Sequence, residues 1–122
     1  MDYSCYKVMF ERALVLSRRN DYDGARRSYE RCLMMYPRKT KVWISYAQME
    51  KRRGSMPRCR AILHRGVREN PKSTSLCIAL GLHEMIRENH DLGMEYLRES
   101  VEIDPRNYRV LRWKNHVPQK HT

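Results

Sequence analysis

The chain has 122 residues, enough for one small domain, and its 25 Lys and Arg against 14 Asp and Glu give a formal net charge of +11. No stretch approaches the roughly 20 apolar residues of a membrane-spanning helix, so the sequence predicts a soluble protein. The positive charge favours an anionic partner, which is either a nucleic acid or an acidic surface.

The prolines mark a strict internal repeat. Pro37, Pro71 and Pro105 follow one another at intervals of 34 residues (71 − 37 and 105 − 71), and each ends an amphipathic segment. Small residues recur in the same register, at Ala13, Ala47 and Gly81, at Ala25, Cys59 and Gly93, and at Cys32, Gly66 and Ser100. A large apolar residue recurs with them, at Tyr29, Leu63 and Leu97. Small residues let two helices approach closely and a large residue fills the gap, so the register predicts a helical hairpin of about 34 residues.

This repeat predicts an all-α fold, a superhelical solenoid of antiparallel helix hairpins with about seven helices in a single domain. The predicted segments are hairpins at 6–39, 40–73 and 74–107, a terminal capping helix at 108–117 and a short tail at 118–122. The terminal helix has two interpretations. It either covers the apolar face of the last hairpin or leaves a docking edge for the continuation of a longer array.

Polar residues before the apolar stripes predict where the helices begin. The expected cap residues are Asp2 or Ser4, Asp23, Thr40, Ser55, and Ser73 or Thr74. Gly54 follows a basic helix end, and we expect it to adopt the left-handed conformation that closes a helix.

The stretch from Ala25 to Glu50, ARRSYERCLMMYPRKTKVWISYAQME, is the most specific part of the repeat. Its motif residues are Ala25-Arg26, Tyr29-Glu30-Arg31, Leu33, Pro37, Trp43, Tyr46-Ala47 and Glu50. This pattern resembles the HAT (half-a-TPR) repeat family. The third hairpin departs from it, with Cys77 in place of the Trp and Met94 in place of the Arg, and is closer to an ordinary tetratricopeptide (TPR) repeat. The resemblance implies a helical-repeat scaffold of the kind found in splicing, 3′-end formation, ribosomal RNA maturation and organellar transcript stabilisation.

Catalytic and metal-binding patterns are missing from the sequence. The four Cys form no C-x-x-C pair and the five His no H-E-x-x-H motif, so we assign no metal and no cofactor. Cys32, Cys59 and Cys77 stand at packing positions and are predicted to be buried hydrophobes. The repeated carboxylates Glu50 and Glu84 stand at a family packing position, not across a cleft, so we predict a protein that is no enzyme and takes no small-molecule substrate.

The resemblance also implies a concave face, lined by the first helix of each hairpin, that binds protein. Its predicted residues are Lys7, Phe10, Leu14 and Arg18, then Lys41, Ile44, Gln48, Lys51 and Arg52, then Ser75, Ile78, Leu82, Met85 and Ile86. The face grades from basic to apolar, which suits a peptide helix with one acidic and one hydrophobic end. Phe10 and Leu14 replace the clamp with which chaperone-binding TPR domains hold a carboxylate, so we do not expect that function. Trp43 and Tyr46 are predicted in the core between hairpins.

Basic residues gather at the predicted turns inside the first two hairpins. The candidates for contact with RNA or another anion are Arg18, Arg19, Arg26, Arg27, Lys51, Arg52, Arg53, Arg58 and Arg60. Residues 40–73 carry nine Lys and Arg against two Asp and Glu (+7), whereas residues 74–107 carry three against seven (−4). Such clusters suit a phosphate backbone, although cations at helix ends serve equally well as caps. No base-reading code recurs in the register, so sequence-specific RNA recognition is not expected.

Three functional hypotheses follow. The first is a non-catalytic scaffold in an RNA-processing or ribonucleoprotein assembly, which binds protein and, through its basic turns, RNA. The alternative is a structural or assembly subunit of a complex without RNA, such as an organellar membrane complex, where any membrane contact is made through the complex. Self-association through the acidic third hairpin is a third possibility. We expect an intracellular protein, with the nucleus favoured by the resemblance and the chloroplast or mitochondrion as alternatives.

Overall fold

A computed structural model describes residues 3–112 of the protein, with side chains from residue 5 onward. Six α-helices and one 3₁₀ helix, with no strand, make up this described range. The helices are α1 (Tyr3–Arg18), α2 (Tyr22–Met35), α3 (Thr40–Arg52), α4 (Met56–Glu69), α5 (Thr74–Ile86), α6 (His90–Ile103) and the terminal 3₁₀ helix (Pro105–Arg112). The all-α hairpin fold predicted from the repeat is confirmed. Among these helices, none combines the length and the apolar composition needed to cross a lipid bilayer.

The described residues form two compact units that meet in sequence between Asn70 and Pro71. Unit 1 contains two hairpins, α1–α2 and α3–α4, and α2 also packs against α3. Unit 2 contains the hairpin α5–α6 and the terminal 3₁₀ helix, which packs on α6. The helices of the three hairpins thus lie within residues 3–35, 40–69 and 74–103, while the single domain and the hairpin bounds stay a prediction.

The core of unit 1 is built on two stacked tyrosines. The rings of Tyr29 on α2 and Tyr46 on α3 have centroids 4.8 Å apart and an angle of 12° between their planes. Ala13 and Ala25, the small residues of the register, have no exposed surface, so the helices of the first hairpin approach closely around them. Trp43 and Tyr46 are buried, as the register predicted.

The helices of unit 2 approach so closely that glycine is needed at the contact. A Cβ atom added to Gly93 would lie 2.9 Å from the carbonyl oxygen of Gly81, and one added to Gly81 would lie 2.7 Å from Leu97 Cδ2. Met85, one turn after Gly81 on α5, also contacts Gly93, because a Cβ on Gly93 would lie 2.8 Å from its sulfur. Met85 is only 4% exposed and belongs to the core of this unit, so the prediction that it lines a binding face is wrong.

Helix starts agree with the predicted caps in part. Asp21, and not Asp23, caps α2: its Oδ1 accepts a 3.0 Å hydrogen bond from the Gly24 backbone N–H. Asp23 lies in the first turn instead, because helical backbone begins already at Tyr22. Ser73 caps α5 as predicted, by accepting a hydrogen bond from the Leu76 backbone N–H.

The other predicted caps have different outcomes. Thr40 is the first residue of α3 rather than its cap, and Ser55 precedes α4 without a side-chain capping bond. Gly54 has a φ of +90°, the left-handed conformation expected of it. Asp2 and the side chain of Ser4 lie outside the described residues.

The last element is not the α-helix predicted at 108–117. The described chain forms a 3₁₀ helix from Pro105 to Arg112, and the remainder of the predicted helix and the tail lie outside the described residues. Asp104 starts this helix early, because its carbonyl accepts from the Asn107 N–H and its carboxylate from the Arg106 N–H. Val110 and Leu111, from the 3₁₀ helix, pack against the core of unit 2.

Candidate binding surfaces of unit 1

An ion pair buried inside unit 1 joins α2 to α3. Arg26 Nε donates to Glu50 Oε2 at 2.7 Å, and Arg26 Nη1 bridges to Asp23 Oδ1 at the same distance. The Arg26 side chain is 17% exposed and that of Glu50 is 1% exposed. The Glu50 hydrogen bond raises the pKa of Arg26, so the guanidinium remains charged. Arg26 was predicted to contact an anionic ligand, but its guanidinium is committed to this pair, so the prediction is wrong for this residue.

A second charged cluster links α2 to both helices of the next hairpin. Arg65 forms two 2.8 Å hydrogen bonds with the carboxylate of Glu30, and the Tyr46 hydroxyl donates to the same carboxylate at 2.7 Å. The hydrogen bonds from Arg65 lower the pKa of Glu30, while burial and the Glu30 carboxylate raise the pKa of Tyr46. The cluster therefore holds the two hairpins together, and the charges of Glu30 and Arg65 are paired with each other.

The predicted basic residues of the two intra-hairpin turns come together at one end of unit 1. The guanidinium carbon of Arg53, in the α3–α4 turn, lies 5.0 Å from the ring centroid of Tyr22, which follows the α1–α2 turn. Five cations at these turns are exposed to solvent, and we call them the basic end: Arg18, Arg19, Lys51, Arg52 and Arg53. Arg27, Arg58 and Arg60 are also exposed, but they lie on helices α2 and α4.

Helix capping explains part of this charge and leaves part unexplained. Arg18, Lys51 and Arg52 lie in the last turns of α1 and α3, where a cation gains roughly 0.3–1 kcal/mol from the helix dipole. Arg58 lies in the first turn of α4, where the same dipole opposes a cation. Unit 1 carries 17 Lys and Arg against seven Asp and Glu, so it holds +10 of the net +11. The surface therefore has more positive charge than its helix ends require.

The residues predicted on the concave face of unit 1 are a mixture of exposed cations and half-buried apolar groups. Phe10, Leu14 and Ile44 are half-buried, and the exposed members are Lys7, Arg18, Lys41, Gln48, Lys51 and Arg52. Phe10 also stacks on Tyr6, with centroids 6.2 Å apart. Ile78 and Leu82 belong to unit 2, where they pack against its core. A protein-binding role for these residues stays a prediction.

Two grooves in unit 1 were not foreseen from the sequence. One, of about 540 Å³, runs over Trp43 between α2 and α4 and is lined by Glu30, Met34, Arg65 and Arg68 among others. The other, of about 460 Å³, lies between α1 and α2 and has both apolar and arginine side chains. The second groove contains Arg31, which precedes Arg65 by one period, but the register alone does not show that this face lacks a neighbour.

The cysteines among the described residues form no disulfide bond. Cys32, Cys59 and Cys77 are buried, as predicted, and burial raises the pKa of each thiol, which makes them poor nucleophiles. Across residues 3–112 no group of His, Cys, Asp and Glu side chains is placed to hold a metal ion.

Helical hairpins stacked through Arg–carboxylate pairs and tyrosines define this chain as a helical-repeat protein of the HAT and TPR class, whose members are generally non-catalytic scaffolds for protein interaction. Within that class the particular family is also clear. The model of the PRP39 N-terminal HAT repeat matches residues 8–102, and the chain belongs to this family.

Similar proteins include two much longer ones. A TPR-containing protein of Dictyostelium discoideum is 31% identical over 84 residues, which are 69% of this chain and 6% of that protein. The mRNA 3′-end-processing protein rna-14 of Neurospora crassa is 34% identical over 53 residues, which are 43% of this chain and 4% of that protein. The chain therefore spans less than a tenth of the length of either relative.

Solved structures support the fold. The first TPR of Spaghetti (RPAP3), bound to an HSP90 peptide, has a TM-score of 0.69 at 15% identity and covers 95% of this chain and 94% of its own. The N-terminal domain of stress-induced protein-1 from C. elegans has a TM-score of 0.69 at 10% identity, and the match covers 89% of this chain and 93% of that domain. At these identities the similarity establishes the TPR-like arrangement of helical hairpins alone.

Proposed function

We propose that the chain is a non-catalytic scaffold in a nuclear RNA-processing assembly, which contacts the phosphate backbone of RNA through the basic end of unit 1. The observation that carries this proposal is the Arg53–Tyr22 contact, since it brings two basic turns from different hairpins into one surface. Membership of the PRP39 HAT family and the similarity to a protein named for mRNA 3′-end processing support the same assembly class.

The chemistry of the basic end suits phosphate groups rather than bases. Its members are exposed Arg and Lys, and the nearest aromatic ring, that of Tyr22, is half-buried and lies against Arg53. If the basic end neutralises Z phosphates of a single strand, the logarithm of the binding constant should fall against the logarithm of the salt concentration with a slope of about −0.7Z. We therefore expect RNA binding that depends strongly on salt and weakly on sequence.

A protein partner is the other half of the proposed scaffold. Half-buried Phe10, Leu14 and Ile44, flanked by the exposed cations Lys7 and Lys41, offer an apolar surface with a basic rim. An amphipathic helix with acidic flanks has the matching chemistry. Peptide binding by the TPR domain of Spaghetti is consistent with this role for a chain of the same fold.

Charge reversal at the basic end tests the RNA contact. We expect Lys51→Glu/Arg52→Glu/Arg53→Glu to weaken binding of a fluorescein-labelled 20-nucleotide RNA roughly 10- to 100-fold at 50 mM KCl, and to reduce the salt slope by about 2, because three phosphate contacts are lost. Fluorescence anisotropy at several salt concentrations measures both quantities.

The matched control carries the same change of charge at the opposite ends of the helices. Arg38→Glu/Arg68→Glu/Lys72→Glu reverses three exposed cations near the turns that follow α2 and α4. We expect this variant to weaken RNA binding less than about threefold. Equal losses in the two variants would show that RNA responds only to net charge. Absence of RNA binding by the unchanged protein would instead favour a subunit of a complex without RNA, whose basic end faces an acidic protein.

A further inference from the structure

The groove between α1 and α2 is a second candidate docking surface, which shares no residue with the basic end. Val8, Met9 and Leu16 supply its apolar part, and Arg12, Arg27 and Arg31 supply its charge. The groove has a volume of about 460 Å³, and every residue that lines it comes from the first hairpin or its turn. Val8, in the apolar part of the groove, is 66% exposed. The first hairpin thus presents an apolar groove that nothing in unit 1 covers.

The repeat register indicates what such a face accepts when it is covered. Arg65 on α4 stands 34 residues after Arg31 on α2, and Ile62 stands 34 residues after Ser28. On α4 this face is occupied: Ile62 is 4% exposed, and Arg65 holds the carboxylate of Glu30 from the preceding hairpin at 2.8 Å. On the corresponding face of α2, Ser28 is buried and donates to the Met9 carbonyl oxygen of α1, but Arg31, the equivalent of Arg65, has no carboxylate partner among the described residues. Unit 1 itself therefore shows that a carboxylate-bearing helix is the fitting partner.

The charges around the groove favour an acidic partner. Across the part of the chain that the structure describes, Arg12, Arg27 and Arg31 make no salt bridge, and all three are exposed. Asp21 is the one carboxylate that lines the groove, and its Oδ1 already accepts the capping bond from Gly24. Arg27 and Arg31 lie one helical turn apart on the same face of α2, so their like charges repel each other, and a carboxylate between them would relieve this repulsion.

We propose that this groove docks an amphipathic α-helix of a partner protein, with an apolar stripe over Val8, Met9 and Leu16 and a Glu or Asp paired with Arg31. A groove between two antiparallel helices accepts the side-chain ridge of a third helix. An extended strand fits poorly, because the backbone groups of α1 and α2 are already bonded within their helices and offer no edge for pairing. RNA fits poorly as well, because no aromatic side chain lines the groove on which a base could stack.

Two designed peptides test the proposal on the full chain. Both are 21-residue helices with the same Leu stripe at i, i+3, i+4 and i+7 spacing, and they differ only in carrying Glu or Lys beside the stripe. We expect the Glu peptide to bind and the Lys peptide not to bind in isothermal titration calorimetry. The backbone amide NMR signals of Val8, Met9 and Leu16 should shift on addition of the Glu peptide.

Paired variants separate this groove from the basic end. Arg27→Glu/Arg31→Glu should weaken the Glu peptide at least tenfold, whereas Arg52→Glu/Arg53→Glu, with the same change of charge, should weaken it less than threefold. Arg27 and Arg31 are exposed and unpaired, so both variants should keep the circular dichroism spectrum of the parent. Equal weakening by the two variants, equal binding of the two peptides, or no binding of the Glu peptide at millimolar concentration would overturn the proposal. A 20-nucleotide RNA that displaces the bound peptide would overturn it too, and would leave the proposed role of the basic end standing.

Discussion

Arg26→Met is expected to lower the free energy of unfolding by about 3–5 kcal/mol, because it leaves the carboxylate of Glu50 buried without its partner. The Glu50 side chain is only 1% exposed, and it receives two hydrogen bonds from Arg26, at 2.7 and 3.4 Å. Water cannot replace these bonds without opening the contact between α2 and α3. Urea denaturation followed by circular dichroism measures the loss.

Two control variants distinguish a buried charge from a lost contact. The double variant Arg26→Met/Glu50→Leu removes both charges and should recover most of the loss, since an apolar pair of similar volume is often as stable as a buried ion pair. Asp23→Asn should cost less than about 1 kcal/mol, because the Asp23 side chain is 81% exposed and its bridge to Arg26 is screened by water. A double variant no more stable than Arg26→Met would contradict the interpretation.

Trp43→Ala is expected to destabilise the protein by about 3–5 kcal/mol, the range for removing a large buried aromatic side chain. Trp43 is 2% exposed, and the guanidinium carbon of Arg65 lies 5.1 Å from its ring centroid. Its Nε1 donates a 2.8 Å hydrogen bond to the carbonyl oxygen of Pro37. Its removal would open a cavity beneath the groove between α2 and α4. The midpoint of thermal unfolding, followed by circular dichroism, should fall accordingly.

Trp43→Phe should cost much less, about 1 kcal/mol for the hydrogen bond plus a small packing term. The Pro37 carbonyl oxygen also accepts a 2.9 Å hydrogen bond from the Asn70 side-chain amide, so it is not left unpaired. The further change Asn70→Ala should therefore be more costly in the Phe variant than in the parent. If the Phe and Ala variants were equally unstable, the hydrogen bond rather than packing would be the main contribution of Trp43.

The repeat register predicted the hairpins and the buried positions because both follow from spacing along the chain. Trp43, Tyr46 and the three buried cysteines stand at packing positions of the period, and packing recurs in each hairpin for the same steric reason. The choice between Asp21 and Asp23 as cap could not be made, since either carboxylate can accept from a backbone N–H three residues later. Only the backbone angles of the turn decide between them.

The roles of individual charges were harder to predict than the fold. Arg26 and Arg27 are adjacent and chemically identical, yet one is committed to Glu50 and the other is exposed on the groove. One residue along an α-helix turns the side-chain direction by about 100°, so the distinction needs the position of α3 as well as the pattern on α2. The α1–α2 groove was missed for a related reason: a register treats all hairpins alike and does not show which face lacks a neighbour.

Affinity purification of the tagged chain from its native source, with and without RNase, tests the central claim most directly. The account predicts that RNA-processing proteins are recovered at near-physiological salt. RNase treatment or Lys51→Glu/Arg52→Glu/Arg53→Glu should reduce their recovery, whereas the Arg38→Glu/Arg68→Glu/Lys72→Glu control should not. A set of partners that contains no RNA-processing protein and is unchanged by RNase and by both variants would contradict the proposal of a ribonucleoprotein scaffold.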